Sequence, residues 1–297
     1  YADLTSHVVY EFPELQGYMG GEYAALEGKT QEAAAMRDFY LPLTSTSALP
    51  STLEGNLVAL AGKMDTLCGN FLIGQIPSGS EDPFALRRQA FAVVRILLEK
   101  GLNVSVKELV EASAKEYPQG TPDKGLAQLP GFLFQRLALV LEQRGHTPGV
   151  INAVTNWYEM PLPQVEALVS ALETVKNGED FTSVLEPAKR VCNLLKKAGE
   201  VNENVSENLL DLPAEKELYN QIHQVDSSLG CRVNTAKTAD DYLAVLKTYA
   251  SFKEPLERFF TDVMVNAPEP AVRNNRLALL ARVRRYLTQT VADITKL

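Results

Sequence analysis

Three observations predict an all-α protein of two domains. Apolar residues recur at three- and four-residue spacing along most of the chain. No stretch shows the apolar–polar alternation of a half-buried strand, and proline, glycine and short polar residues punctuate the sequence at helix-length intervals. At 297 residues the chain exceeds one average domain, so two cores are expected. No repeat of fixed period is present, which disfavours a solenoid.

From the N-terminus, ADLTSHVV at 2–9 reads as the tail of a helix, and EFPELQGYMGGEYAAL interrupts helix with Pro13, Gly17, Gly20 and Gly21. Those glycines have neither the dinucleotide-fingerprint spacing nor a Gly-Lys-Ser/Thr ending, so they predict no phosphate cradle. Residues 31–40 return to helix, and LPLTSTSALPST ends it. In 57–72, Leu57, Leu60, Met64, Leu67 and Phe71 form one apolar stripe, with Lys63, Asp65 and Asn70 away from it. The loop IPSGSEDP follows. Asp82 as N-cap and Pro83 at the first helical position predict a helix starting at 83, lined by Leu86, Ala90, Val93, Val94, Leu97 and Leu98 and stopped by Gly101. Helix resumes over 102–117, where Ser105 and Glu108 have capping-box spacing. YPQGTPDKG at 117–125 is the densest punctuation in the chain and the predicted domain boundary. Beyond it, helices are expected at 132–145, 150–158, 162–175, 181–198, 213–229, 239–251, 255–265 and 270–287.

Net charge is −8, so an RNA-binding surface on this chain must be a local patch of positive potential. Cys68, Cys192 and Cys231 are widely spaced and odd in number, which reads as buried thiols in a reducing compartment. No apolar run approaches the roughly 18 residues that mark a membrane span. The chain opens at Tyr1 with neither an initiator methionine nor a basic-then-apolar leader. We expect a piece of a longer polypeptide without an export signal.

Three strings, in order, resemble the beta subunit of the bacterial two-subunit glycyl-tRNA synthetase: EFPELQGYMGGEYA (11–24), MDTLCGNFLIGQIPSGS (64–80) and DPFALRR (82–88). FTSVLEPAKRVCNLLKK (181–197) is similar to that family's Lys-Arg-Val-x-Asn segment, and FFTDVMVNAPEPAVRNNRLALLARV (259–283) to its C-terminal signature. The resemblance implies an HD-like helical domain over 1–120 and a helical-bundle, anticodon-binding-like domain over 121–297. It implies a tRNA-recognition role in glycine-tRNA ligase, positioning tRNA(Gly) for ATP-dependent glycylation by a separate alpha subunit. The assembly would be a cytoplasmic heterotetramer of two alpha and two beta chains, with no membrane or DNA partner. No catalytic residue, metal or cofactor is expected in this fragment; ATP and Mg²⁺ would be used by the alpha subunit.

Two basic stretches are the candidate tRNA-binding residues. On the helix over 184–198, Val184, Ala188, Val191 and Leu195 face one way, and Arg190, Asn193 and Lys197 follow one another on the opposite side, flanked by Lys189 and Lys196. Arginine and lysine there suit phosphates, and Asn193 can donate to and accept from a base edge or ribose. A solvated helix face, or an Asn193 that caps a neighbouring helix, fits the same pattern. The second stretch carries Arg273, Arg276, Arg282, Arg284 and Arg285, of which Arg273, Arg282 and Arg285 are the RNA-facing candidates. Arg273 and Arg276 could instead pair with carboxylates such as Asp262, the preferred reading for Arg276. For Arg87, Arg88 and Arg95 we expect intramolecular pairing with the glutamates of EFPELQ and with Asp82. Trp157 and Tyr158 read as the edge of a core rather than a stacking platform.

Two rival functions remain. The HD resemblance invites a metal-dependent phosphohydrolase, with Asp3 and Asp65 at matching positions. The sequence holds only His7, His146 and His223, no adjacent His-Asp pair, and Asp38-Phe39 where the family has a glutamate and histidine. Asp65 then reads as a helix-surface or packing carboxylate. The other rival is a structural helical module that binds the alpha subunit without touching RNA, which the acidic balance suits.

Overall fold

The computed structural model describes residues 6–44, 46–79 and 81–297, with the side chains of Asp180 and Cys231 outside that set. Among the described residues the regular structure is helical: α1 (His7–Glu11), α2 (Met19–Leu26), α3 (Thr30–Asp38), α4 (Leu53–Leu72), α5 (Leu86–Glu99), α6 (Val106–Lys115), α7 (Leu129–Gln143), α8 (Pro148–Ala153), α9 (Leu162–Val175), α10 (Glu179–Ala198), α11 (Pro213–Thr235), α12 (Ala239–Tyr249), α13 (Lys253–Asp262) and α14 (Pro270–Thr288). Short 3-10 turns join several of them, and extended pairing among these residues is one isolated bridge between Ser105 and Pro161. The all-α expectation is met.

The chain divides into two compact units, Tyr1–Val140 with Tyr158–Pro163, and Leu141–Trp157 with Gln164–Leu297. The division falls inside α7 and not at the 117–125 loop. That loop packs back on α4: the Tyr117 hydroxyl donates to Asp65 (2.9 Å), and the Lys124 amide to the Leu72 carbonyl (3.0 Å). Phe132 of α7 then stacks edge-on against Phe71 of α4, with ring centroids 5.2 Å apart.

In the first unit α4 is the axis, packed by α3, α5 and α6. Three neighbours bury more of its circumference than a single stripe would. Leu60, Met64, Leu67 and Phe71 are buried as expected, but so are Asn56, Cys68 and Lys63, while Leu57 is 47% exposed. The reading of Lys63 as outward-facing is therefore corrected. α1 begins at His7, with the Ser6 hydroxyl accepting from the Val9 amide, so the described end of the expected 2–9 stretch is helical from His7; residues 2–5 lie outside the described set.

Asp82 does cap α5, but from further away than expected. Pro83 and Phe84 form a turn, Ala85 takes φ 53°, and the Asp82 carboxylate accepts from the amides of Leu86 (2.7 Å) and Arg87 (3.1 Å). The helix starts three residues late because the capping side chain reaches over a turn. At α6 the capping box is present as read: Ser105 Oγ accepts from the Glu108 amide, and Glu108 accepts from the Ser105 amide at 2.7 Å. Residues 102–104 are loop, not helix. Ser105→Ala is expected to cost about 1 kcal/mol, read as a lower urea midpoint with unchanged m-value.

In the second unit α10 packs against α12, α13 and α14, while α11 packs against the same three. Val184, Ala188, Val191 and Leu195 of α10 are buried with Leu218 and Ile222 of α11, Phe259 of α13 and Leu280 and Val283 of α14. The apolar stripe read for α10 is the one that is buried, and this turns its other side outward.

Candidate nucleic-acid interface

α10 ends where Gly199 takes φ 81°, a backbone conformation that a side chain disfavours, immediately after the basic last turn of Lys196 and Lys197. Cations there also suit the negative end of the helix dipole. Arg190, Asn193 and Lys197 are exposed and Lys189 is half-buried. Together with residues from the end of α13 and the segment after it, they line an open groove of ≈ 580 Å³.

The guanidinium of the exposed Arg190 lies over the Phe260 ring, 4.2 Å from its centroid, which restrains the side chain. None of Lys189, Arg190, Lys197 or Arg273 forms an ion pair among the described residues. Glu186 stands alone as an acid in the groove lining. Leu194, Val263 and Val265 supply apolar wall, Met264 is 68% exposed, and Asn193 and Asn266 present amides that each donate and accept. Asn193 is exposed and caps no helix among the described residues. The sequence alone does not single out Phe260 and Asn266, because only the tertiary packing of α13 and of the segment after it brings them to this face. The string FFTDVMVNAP was the available signal.

The α14 arginines divide. Arg273 is exposed, at the N-terminal end. Arg276 does make a structural ion pair, but its partner is Glu215 (2.5 Å) and not Asp262; it also donates to the Met264 carbonyl (2.8 Å). Arg282 pairs with Asp226 (2.6 Å), and Arg285 with Glu203 (3.2 Å) and Asp226 (3.6 Å). The Tyr286 hydroxyl donates to the same Asp226 carboxylate. Arg282 and Arg285, expected to face RNA, are thus tied into an internal network. Releasing them to a phosphate would leave Asp226 without its cations.

In the first unit Arg87 and Arg95 find partners other than those expected. Arg87 donates to the carbonyls of Gly79 (2.7 Å) and Glu81 (3.3 Å), and Arg95 pairs with Glu99 (2.7 Å) while donating to the Ser47 carbonyl (2.8 Å). Neither engages the glutamates of EFPELQ. Arg88 is exposed and forms no ion pair among the described residues. Asp65 is exposed and accepts from Tyr117, a packing role; Asp38 accepts from the amide and hydroxyl of Ser51, both at 2.7 Å. Among the described residues no three His, Cys, Asp or Glu side chains converge as a metal site would require, and Asp3 lies outside them. Cys68 is buried and Cys192 half-buried, and burial raises both thiols above their ordinary pKa, which suits packing rather than reactivity. No described helix is long and apolar enough to cross a membrane. Trp157 and Tyr158 are half-buried in a 3-10 turn.

Comparison with known proteins agrees with the motifs quoted above. The family model described as glycyl-tRNA synthetase beta subunit matches residues 1–156, and the model described as DALR anticodon binding domain matches residues 184–294. The glycine-tRNA ligase beta subunit of Acidovorax sp. (strain JS42) is 40% identical over 296 residues, covering 99% of this chain and 40% of that protein. The subunit of the same name from Methylobacillus flagellatus is 38% identical over 299 residues (100% and 42%), and that of Pseudomonas aeruginosa 39% over 298 residues (99% and 43%). The chain therefore spans about two-fifths of the length of these curated relatives. With one model covering more than half of its residues and the second falling on the unit that carries the basic groove, the chain belongs to the glycyl-tRNA synthetase beta subunit family.

Proposed function

We propose that this chain is the tRNA-recognition part of a glycine-tRNA ligase beta subunit, and that the exposed α10 face is where its second unit holds RNA. The observation that carries this reading is the groove beside α10. It holds three cations without ion-pair partners among the described residues and two free amides, in the segment matched by an anticodon-binding model. Lys189, Arg190 and Lys197 would contact phosphates, fixing register, and Asn193 with Asn266 would meet a base edge or ribose above the apolar wall. Arg273 would add a phosphate contact from α14. Arg282 and Arg285 we assign to holding α14 against its neighbours.

The chain's contribution to aminoacylation would be positional. By gripping the tRNA it would present the acceptor end to an alpha subunit that uses ATP and Mg²⁺, in a cytoplasmic assembly of two alpha and two beta chains.

A mobility-shift titration of the chain with tRNA(Gly) and a non-cognate tRNA tests the reading. Arg190→Ala/Lys197→Ala is expected to weaken binding several-fold or more at low salt. It should also flatten the salt slope by roughly 1.5, at about 0.7–0.9 for each of two phosphate contacts. Unchanged affinity and slope would remove this face from the proposal. No binding by the parent chain would favour the structural module instead.

A further inference from the structure

We propose that a second, separate cavity, walled by the C-terminal end of α3, the middle of α4 and the start of α5 and carrying Lys63 and Arg88, binds the phosphate group of a nucleotide or of an RNA strand. The cavity measures ≈ 290 Å³, at the lower end of the roughly 300–1,000 Å³ that small-ligand sites occupy. It lies wholly within the first unit and does not depend on the α10 face.

Its shape follows from local packing. Gly62 of α4 has no Cβ where one would stand 2.5 Å from Phe39 Cζ, so the Phe39 ring lies directly on the helix and forms one wall. Pro42 and Leu43 close the side, and Phe84, 46% exposed, stands at the lining contributed by the turn before α5. An exposed aromatic face beside a phosphate site is what a nucleobase stacks on.

No described carboxylate pairs with the cations of the cavity, and the Lys63 ammonium stands 6.0 Å from the centroid of the Phe39 ring. Lys63 is 7% exposed, and its ammonium donates to the Phe39 carbonyl at 3.1 Å, leaving two further N–H groups. Arg88 brings five donors and no ion pair among the described residues. No lining residue is acidic. The nearby acids on the packed elements are committed elsewhere, Asp38 to Ser51 and Asp82 to the first amides of α5. If Lys63 were there only to fill space, a methionine would do so without burying a charge. Burial holds its pKa down to about 8, so it remains mostly protonated at neutral pH, and a bound anion would supply the missing partner.

The test measures binding of inorganic phosphate, AMP and a short single-stranded RNA, with and without a 5′-phosphate, by calorimetry on the whole chain. Saturable binding of at least one phosphate-bearing probe is expected. Arg88→Ala, a surface change that leaves the core intact, should weaken it about tenfold or more, the worth of hydrogen bonds to a charged group. Lys63→Met, checked for folding by circular dichroism, should abolish it, and Lys100→Ala on the exposed end of α5 should leave it unchanged. Tighter binding of 5′-phosphorylated RNA than of AMP supports the site with a nucleic-acid source; tighter binding of AMP supports it with a free nucleotide. No saturable binding up to millimolar ligand, or binding indifferent to Arg88→Ala, overturns the proposal.

Discussion

Glu215→Ala is expected to destabilise the second unit by about 3–5 kcal/mol, the range found when one member of a buried ion pair is removed. Glu215 is fully buried and Arg276 is 11% exposed on its side chain. One carboxylate oxygen accepts from Arg276 Nε at 2.5 Å, and the other accepts from the amides of Asp211 and Leu212, both at 2.9 Å, at the entry to α11. The substitution would leave a nearly buried guanidinium uncompensated and strand two amides at the start of a long helix. The readout is the urea midpoint of the chain, with the m-value as a check that the cooperative unit is unchanged. Glu215→Gln, which keeps an acceptor for the amides but removes the charge, should fall between wild type and alanine. A Glu215→Ala chain within about 0.5 kcal/mol of wild type would mean that the pair does not hold α11 to α14.

Lys63→Met should act in the opposite direction and raise stability at pH 7. The folded-state pKa of about 8 lies below the ordinary 10.5, so at neutral pH the folded chain carries a charge whose burial costs about 3 kcal/mol. Losing the hydrogen bond to the Phe39 carbonyl offsets roughly 1 kcal/mol of that, leaving a gain of about 1–3 kcal/mol. The sign of the pH dependence follows from proton counts. Between about 8 and 10.5 the unfolded chain keeps a proton that the folded chain has released, so wild-type stability rises with pH across that window. Lys63→Met should lack this rise. Chemical denaturation of both chains at several pH values from 7 to 10.5 measures it, and parallel curves would rule out a buried, depressed amine. A stabilising loss of Lys63 would also fit a residue retained for binding rather than for folding.

Much of the helical framework was readable because its signals act over three or four residues. α9 starts and stops where the periodicity and flanking residues place it, and the Ser105–Glu108 capping box needs only its own turn. The start of α5 at Leu86 differs from the expected residue 83 for a reason that is also local but less visible. Asp82 caps through a turn containing Ala85 at positive φ, a conformation that alanine rarely adopts and that no residue pattern announces. Lys63 reads as outward-facing from the sequence because one apolar stripe implies one buried face, whereas α4 is packed by three helices.

The sequence shows where cations cluster and not which of them are paired. Basic residues cluster on α10 and α14 alike, and the sequence separates only Arg276 from the other arginines of α14, as a structural ion-pair residue. Packing separates them: α11 brings Glu215 and Asp226 to Arg276 and Arg282, while no described carboxylate pairs with Arg190 or Lys197.

Family membership, the helical class and the two basic stretches were already determined by the order of residues, since motifs and helix periodicity are properties of contiguous chain. Which cations remain available to a ligand was decided only by the tertiary structure. A charge is neutralised by whatever lies within a few ångströms of it, and here those neighbours come from helices far apart in sequence, such as Arg276 and Glu215, 61 residues apart.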